Sequence, residues 1–338
     1  MGAQIQLESY PIHSSVKDKL HPEYVAWYNK YLLHQQPAHQ LPISVSRAAR
    51  SAAVSSSDPL PVGTVQDLYV SRRDRGPDIP IRCFIPEGAP PSNGWPLVLY
   101  FHGGGWVFGN IDSENTICTH ICVRARAVVI TTEYRLAPES PWPGPVHDAW
   151  EALLWATTSG RDKFQLDLTK IAVGGSSAGA NIAAVLTQNA VLRPQPGSTI
   201  VSQFLIVPVT DNTATPCSNP TWKSLEFTAA LPAEKMLWYR RQYLPDSATW
   251  SDREASPLLA CDEIFRRLPT ANIIVAGLDV LKHEGEEYAR KLKANGVSVE
   301  LTVMDGMPHP FPAMDAVLEA GKSAITITCD SLSRAFAR

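Results

Sequence analysis

The sequence predicts an α/β fold in which helices cover both faces of a mostly parallel β-sheet. From about residue 97 onward, short apolar runs typical of strands alternate with longer helical patterns, as in proteins with parallel sheets. The chain has 338 residues, of which 44% are hydrophobic, so it can form a large core. Its 28 prolines, beside 20 glycines, argue against a long helical bundle because proline breaks helix interiors.

The N-terminal 50 residues predict a helix and the start of a linker. Residues 21–34 carry aromatic side chains at spacings of three and four, which predicts a helix with one aromatic face. These side chains are Tyr24, Trp27, Tyr28 and Tyr31. Such a face either packs on the body of the protein or lines a pocket as part of a lid. Residues 51–63 are rich in Ser and Pro and predict a linker.

The remaining elements follow from local pattern. Alternating runs at 64–73 and 79–86 predict two strands joined by a turn. Further strands are predicted at 97–101, 127–132, 171–173, 200–207, 272–276 and 298–303. Helices are predicted at 115–126, 145–158, 178–192, 284–294 and 313–335. Between 211 and 254 the alternation stops and aromatic residues become frequent, so this interval is interpreted as an insertion.

Charge and composition exclude several classes of function. The net charge is −3 and no stretch is densely basic, so we expect neither a nucleic-acid partner nor binding to an anionic membrane. No run of about 18 apolar residues predicts a membrane span, and the absence of an apolar leader favours a cytoplasmic location. Six cysteines are too few for a disulfide scaffold. Cys118 and Cys122, which flank His120, are expected to be buried thiols rather than metal ligands.

The sequence Gly175–Ser176–Ser177–Ala178–Gly179 fits the pattern G-x-S-x-G. It lies between a predicted strand and a predicted helix, where a sharp turn needs small residues and pushes the central side chain out at the carboxyl end of the sheet. The start of the following helix also favours developing negative charge. The pattern therefore predicts Ser177 as a nucleophile.

A second glycine-rich motif, HGGGW at 102–106, directly follows the predicted strand 97–101. Glycines have no Cβ, so their backbone N–H groups can approach a ligand closely. We predict that the N–H groups of Gly104, Gly105 and Ala178 form an oxyanion hole.

A serine nucleophile needs a base, and the base needs an orienting acid. Only His283 and His309 follow Ser177 in the chain, and His309 lies between prolines in a loop after the last predicted strand. His309 is therefore the predicted base. Asp279, at the carboxyl end of a predicted strand, is the predicted acid, and Asp305 is the alternative.

These motifs, in this order, resemble the hormone-sensitive-lipase-type α/β-hydrolases, the HGGG esterases. The matching stretches are HGGGW (102–106), YRLAPE (134–139), HDAW (147–150), GSSAGAN (175–181), ASPLLA (255–260), GLDVLKHEGEEYA (277–289) and GMPHPF (306–311). The resemblance implies an α/β-hydrolase fold with an eight-stranded sheet, a helical cap, a Ser177–Asp279–His309 triad and no metal or other cofactor. The chain departs from the family pattern at Ser176, Ala180, Val280, His283 and Pro310, and these departures concern substrate range and pocket shape.

The resemblance and the pattern together suggest a division of the chain. Residues 1–50 are predicted as an N-terminal cap segment, 51–210 as the first part of the hydrolase core, 211–254 as a cap insertion and 255–338 as the second part of the core. A homodimer is a further possibility.

The main functional hypothesis is a serine carboxylesterase that hydrolyses a small-to-medium, fairly apolar ester. Five aromatic residues are predicted to contact the substrate. They are Trp106, Phe108, Phe311, Trp222 and Trp238. One alternative is an acyltransferase, or a thioester-releasing hydrolase, of a biosynthetic pathway. Another is a ligand-binding receptor on the same fold, like the gibberellin receptors, although such receptors lack the catalytic His and this chain retains His309.

Overall fold

The structure, a computed structural model, describes residues 8–48 and 56–337, and its centre is a β-sheet of eight strands. The strands are β1 (Thr64–Val70), β2 (Ile79–Ile85), β3 (Trp95–Phe101), β4 (Val128–Thr132), β5 (Leu166–Ser176), β6 (Ile200–Ile206), β7 (Thr270–Leu278) and β8 (Val299–Pro308). Their order in the sheet is β1-β2-β4-β3-β5-β6-β7-β8. Neighbouring strands are parallel except where β2 pairs with β1 and β4. The predicted fold class is confirmed.

Helices cover both faces of this sheet. In the described residues they are α1 (Ser14–Lys17), α2 (Pro22–Tyr31), α3 (Ile43–Ala48), α4 (Asn115–Arg124), α5 (Gly144–Thr157), α6 (Ser159–Phe164), α7 (Ala178–Leu192), α8 (Pro220–Ser224), α9 (Ala233–Tyr243), α10 (Asp262–Phe265), α11 (Lys282–Ala294) and α12 (Glu319–Phe336). Helices α4 and α12 pack together on one face, and α5, α7, α10 and α11 form the layer on the other. Short 3₁₀ turns occur at Ala38–Gln40, Ser247–Thr249, Pro257–Leu259 and Phe311–Ala313.

Burial along the strands follows their place in the sheet. The apolar run Leu97–Phe101 of β3 is buried at every residue, as expected for a central parallel strand covered on both faces. Strand β1 lies at the edge, where Val65 and Tyr69 are exposed while Val70 is buried. The apolar core therefore surrounds the middle strands, whose carboxyl ends form the site described below.

Several element boundaries differ from the prediction, as in β5, which spans Leu166–Ser176 rather than 171–173, and two of the differences lie next to the site. Strand β8 continues to Pro308 because its ladder with β7 resumes after an irregularity and pairs Leu278 with Pro308. The last helix begins at Glu319 rather than at residue 313, because Phe311–Ala313 form a separate 3₁₀ turn. The longer β8 brings the chain directly to His309.

The N-terminal segment packs on the body of the protein. Tyr24 of α2 is fully buried, and the Tyr28 hydroxyl donates a hydrogen bond to the Tyr10 carbonyl (2.7 Å). The His21 N–H donates to the carbonyl of Gly306 in β8 (2.9 Å). No described residue of α2 lines the cavity above Ser177, so this helix serves packing. The described residues do not include 1–7 and 49–50 of the predicted N-terminal cap segment (1–50). They also do not include 51–55 of the predicted linker (51–63).

Candidate active site

Ser177 occupies the turn between β5 and α7. Its backbone has φ 52° and ψ −117°, a conformation that non-glycine residues rarely adopt and that is typical of strained turns at functional sites. Its N–H donates to the Ile206 carbonyl on the neighbouring strand (2.8 Å). A Cβ atom at Gly175 or Gly179 would lie 2.2 or 2.0 Å from the Phe101 carbonyl oxygen. The turn therefore requires glycine on both sides of Ser177, which explains the motif.

His309 and Asp279 follow the ends of β8 and β7, and both meet Ser177 at the carboxyl edge of the sheet. His309 Nε2 lies 2.8 Å from Ser177 Oγ, and His309 Nδ1 lies 2.6 Å from Asp279 Oδ2. Asp279 is buried, and its Oδ1 accepts a hydrogen bond from the Leu281 N–H (3.0 Å). This arrangement lets the imidazole accept a proton from Ser177 at Nε2 while its Nδ1–H donates to Asp279. The three side chains predicted as a triad thus form one chain of hydrogen bonds, with His309 between Ser177 and Asp279.

The alternative acid and base lie apart from this chain of hydrogen bonds. Asp305 is exposed on β8, and among the described residues it makes no hydrogen bond to His309. His283 lies in the first turn of α11, and the described structure shows no hydrogen bond between it and Ser177.

The loop 102–109, here called the glycine loop, and the start of α7 provide backbone N–H groups beside Ser177. Gly104 has φ 119° and Gly105 has φ 61°, and a Cβ atom at Gly104 would lie 2.3 Å from the Phe108 carbonyl oxygen. The N–H groups of Gly104, Gly105 and Ala178 have no hydrogen-bond acceptor among the described residues. They are therefore available to an oxyanion, as the two motifs predict.

Glu114 lies beneath the glycine loop, and the sequence analysis did not single it out. Its Oε1 accepts hydrogen bonds from Ser176 Oγ (2.6 Å) and from the Gly103 N–H (3.3 Å), and its Oε2 accepts one from the Tyr100 hydroxyl (2.6 Å). Ser176 stands where the family pattern has Asp, and its hydroxyl donates to a carboxylate that comes from the residue before α4. The one feature of the sequence that could have pointed to Glu114 is Ser176 in place of the family's Asp. That substitution does not indicate which residue the Ser176 hydroxyl contacts.

The YRLAPE motif braces the other side of the glycine loop. The Ala137 N–H donates to the Trp106 carbonyl (2.8 Å). Arg47 of α3 donates to the Val107 carbonyl (2.9 Å), to the Ala137 carbonyl (2.7 Å) and to the Glu139 carboxylate (2.8 Å). The N-terminal segment and this motif therefore hold the glycine loop together.

A cavity of about 230 Å³ lies above Ser177. Its polar lining includes Glu114, Ser176, Lys235 and His309. Its other side chains are mostly apolar and of small or medium size: Val207, Val209, Ala230, Leu231, Met236, Tyr239, Pro310, Pro312 and Ala313. Five of the lining residues come from the 211–254 insertion.

None of the five aromatic residues predicted to bind substrate lines this cavity, so that prediction is wrong for the cavity described here. Trp106 is buried and its ring stacks on Tyr243 at 4.2 Å between centroids. Phe108 packs against Trp238 (6.1 Å) and Tyr239 (5.9 Å). These rings join the glycine loop to α9, so they support the cavity wall from behind.

The other two predicted aromatic contacts serve the core. Trp222 is buried, its Nε1–H donates to Glu284 Oε2 (3.3 Å), and its ring faces the Arg240 guanidinium at 5.2 Å. Phe311 is buried in the 3₁₀ turn directly after His309. Large rings bury the most apolar area, and in this chain they are used for packing between elements.

Burial changes the pKa values of two charged groups near the site. It lowers the pKa of the Lys235 ammonium to about 8 and, together with the charge of Asp211, raises the pKa of the Glu284 carboxyl to about 8.

Cys118 and Cys122 are buried on α4, and burial raises the pKa of the Cys122 thiol to about 12. No cluster of three His, Cys, Asp or Glu side chains within residues 8–48 and 56–337 is arranged to hold a metal ion. In the same residues, no helix has the length and apolar character needed to cross a membrane.

Comparison with known proteins places the chain in a family. A profile of the α/β-hydrolase fold family matches residues 98–313. An α/β-hydrolase superfamily protein of Schizosaccharomyces pombe is 45% identical over 332 residues, 97% of either chain. The carboxylic ester hydrolase LipN of Mycobacterium tuberculosis is 37% identical over 270 residues, 79% of this chain and 70% of its own. The crystal structure of a thermostable esterase from Pseudomonas putida has a TM-score of 0.81 at 28% identity and covers 94% of this chain and 95% of its own. The chain belongs to the α/β-hydrolase family and, within it, to the hormone-sensitive-lipase type of carboxylesterases.

Proposed function

We propose that this chain hydrolyses carboxylic esters through an acyl-enzyme on Ser177, with His309 as general base and Asp279 as the orienting acid. The continuous contact from Ser177 Oγ to His309 Nε2 (2.8 Å) and from His309 Nδ1 to Asp279 Oδ2 (2.6 Å) carries the proposal. The named ester hydrolases among its relatives support the same reaction class.

In the first half-reaction, Ser177 Oγ attacks the ester carbonyl carbon while His309 Nε2 takes the hydroxyl proton. The N–H groups of Gly104, Gly105 and Ala178 stabilise the negative oxygen of the tetrahedral intermediate, and each such donor is worth about 3 kcal/mol. The intermediate collapses, the C–O bond breaks, and His309 returns the proton to the departing alcohol. Asp279 stabilises the imidazolium in between.

In the second half-reaction, water attacks the acyl-enzyme and His309 removes its proton. Collapse of the second intermediate releases the acid and restores the Ser177 hydroxyl. The net reaction converts ester and water into acid and alcohol. A cavity of about 230 Å³ with mostly apolar walls supports an ester with small or medium arms. We propose that the 211–254 insertion caps this cavity, since Ala230, Leu231, Lys235, Met236 and Tyr239 line it.

Substitution of the nucleophile tests this mechanism directly. Ser177→Ala should lower kcat on p-nitrophenyl butyrate by at least about a thousandfold, because no other group can form the acyl-enzyme. Ser224→Ala, which removes an exposed hydroxyl on α8, is the matched control and should leave kcat unchanged. A phosphonate ester should label the wild type once, at Ser177. Undiminished turnover by the Ser177→Ala variant contradicts the proposal.

The same experiments separate the alternatives. A ligand-binding receptor has no use for the contact between His309 and Ser177, and it would neither turn over the ester nor react with the phosphonate. An acyltransferase would pass the acyl group to an added alcohol in preference to water, which product analysis with an alcohol in excess would reveal. No particular contact in the cavity favours transfer over hydrolysis.

A further inference from the structure

Lys235 is the one lysine or arginine among the described residues that line the Ser177 cavity. It lies on α9, where Lys235, Met236 and Tyr239 share the helix face turned toward the cavity. Tyr239 also packs against the glycine loop, since a Cβ atom at Gly105 would lie 2.3 Å from its ring. The packing of α9 on the glycine loop thus fixes the position from which Lys235 reaches the cavity.

The Lys235 ammonium has no carboxylate partner within 4 Å in the described part of the chain. Its Nζ donates to the Ala230 carbonyl (2.9 Å), which occupies one of three donor positions. Glu234, the adjacent acid, is exposed and lies toward His39, 3.9 Å from its Nε2. Glu114, the carboxylate in the cavity wall, already accepts hydrogen bonds from Ser176 and Tyr100.

A partly buried ammonium without a counter-ion is unfavourable. The lowered pKa of Lys235 has burial as its one identified cause, with no acid nearby to raise it again. An anion that entered the cavity would satisfy the free donors and recover the lost charge stabilisation. The remaining walls are apolar and suit a short hydrocarbon arm between the ester and the anion.

We infer that Lys235 selects esters that carry a free carboxylate on one arm, such as monoesters of dicarboxylic acids. The inference rests on the proposed function and adds a substrate class to it. The ester carbonyl lies at Ser177 and the glycine loop, the apolar walls contact the hydrocarbon arm, and the ammonium binds the carboxylate. Lys235 is then a specificity-determining residue rather than a brace for the loop at Ala230.

The test compares each anionic ester with a neutral ester of the same shape at pH 7. Monoethyl adipate is paired with ethyl 6-methylheptanoate for the acyl arm, and 6-acetoxyhexanoate with the acetate of 6-methylheptan-1-ol for the alcohol arm. Product release gives kcat/KM for the wild type and for Lys235→Met, Lys235→Arg and the matched control Arg241→Met. Arg241 lies on the same helix but is exposed and does not line the cavity.

We expect the wild type to prefer the anionic ester of at least one pair. Lys235→Met should reduce that preference about 10- to 100-fold, mainly through KM, because a hydrogen bond to a charged group is lost. Lys235→Arg should retain most of the preference, and Arg241→Met all of it. The neutral ester serves as the internal standard for folding, and Lys235→Gln replaces Lys235→Met if the latter does not fold.

Two results overturn the inference while leaving the proposed function intact. One is a wild type that prefers the neutral ester of both pairs, and the other is a Lys235→Met variant whose rates on both esters of a pair change equally. Loss of all neutral-ester turnover in Ser177→Ala confirms, in the same assay, that the catalytic proposal stands. A wild type that hydrolyses p-nitrophenyl butyrate but none of the four esters overturns this inference alone, whereas one that hydrolyses none of the five esters overturns both proposals.

Discussion

Glu114 shows how a single residue outside the proposed triad can hold the glycine loop in position. Its carboxylate joins the Gly103 N–H, the Ser176 hydroxyl and the Tyr100 hydroxyl. Gly103 directly precedes the two glycines whose N–H groups face the proposed oxyanion. Loss of the carboxylate would leave the hydroxyls of the buried residues Ser176 and Tyr100, and the half-buried Gly103 N–H, without this partner and allow the loop to shift.

Glu114→Ala should therefore lower kcat by about tenfold or more with a smaller change in KM, since small displacements of an oxyanion donor are costly. Glu114→Gln keeps an acceptor for Gly103 and Ser176 and should recover most of the activity. Steady-state kinetics on a neutral p-nitrophenyl ester measure both. Equal kcat for Glu114→Ala and the wild type would show that the loop keeps its position unaided.

At the residue scale, the sequence predicts which three side chains meet at Ser177 but not which residues line the cavity. Ser177, Asp279 and His309, which the structure brings into contact, could be predicted together because a strained turn, a fixed chain order and strand ends constrain their positions. The five aromatic residues could not be placed, because composition shows that a ring is present but not which neighbour it meets. Trp106 meets Tyr243 from an element more than a hundred residues later in the chain. Lys235 and Glu114 carry no motif, and only the fold shows that they border the cavity.

Among the secondary-structure elements, α5 owes its position to a buried group of charges. Asp148 of α5 is fully buried and forms ion pairs with Arg72 (2.6 Å) and Arg135 (2.9 Å). It also accepts a hydrogen bond from the Arg135 N–H (2.8 Å). These contacts explain two family motifs, because Asp148 belongs to HDAW and Arg135 to YRLAPE. The motifs thus connect α5 to the segment that braces the glycine loop.

Asp148→Asn should lower the free energy of unfolding by about 3–5 kcal/mol, because it leaves two arginines near a neutral side chain. Glu151→Gln on the same helix is the matched control, since Glu151 pairs with the exposed side chain of Arg73. That control should change the free energy of unfolding by less than about 1 kcal/mol. Urea denaturation followed by circular dichroism measures both, and similar values for the two variants would contradict the assignment.

Most strands and the helix α7 could be predicted from local pattern, because periodicity and glycine turns are encoded within a few residues. The misplaced boundaries depend on distant partners. Strand β8 extends to Pro308 since β7 continues to pair with it, and the start of α12 is delayed by a turn that buries Phe311. No local window contains either partner.

For the molecule as a whole, Glu284 connects its core to the 211–254 insertion. Glu284 of α11 accepts hydrogen bonds from the Thr210 N–H (2.9 Å) and from Trp222 Nε1–H (3.3 Å). Asp211 and Arg240 are the charged groups that act on it, and burial is the largest cause of its raised pKa. The free-energy cost of ionising the buried Glu284 carboxyl thus affects the contact between the core and the 211–254 insertion.

Its pKa of about 8 in the folded chain lies above the ordinary value of 4.5, so the folded state holds a proton that the unfolded state has released. Global stability should therefore fall as pH rises from about 5 to 8, by up to about 1.4 kcal/mol per unit from this group. In Glu284→Gln this contribution disappears. The variant is less stable at acid pH, because its amide faces the Trp222 N–H, but its stability depends less on pH. Urea unfolding from pH 5 to 9 measures both slopes, and equal slopes would refute the prediction.

The contact between α9 and the glycine loop has a consequence for protein engineering. Exchanging the 211–254 insertion with that of a relative would be the direct way to change substrate preference, since it provides much of the cavity wall. Yet Trp238, Tyr239 and Tyr243 pack against rings that belong to the glycine loop. A chimera must therefore transfer Trp106 and Phe108 together with the insertion, so the unit of exchange is a discontinuous pair of segments.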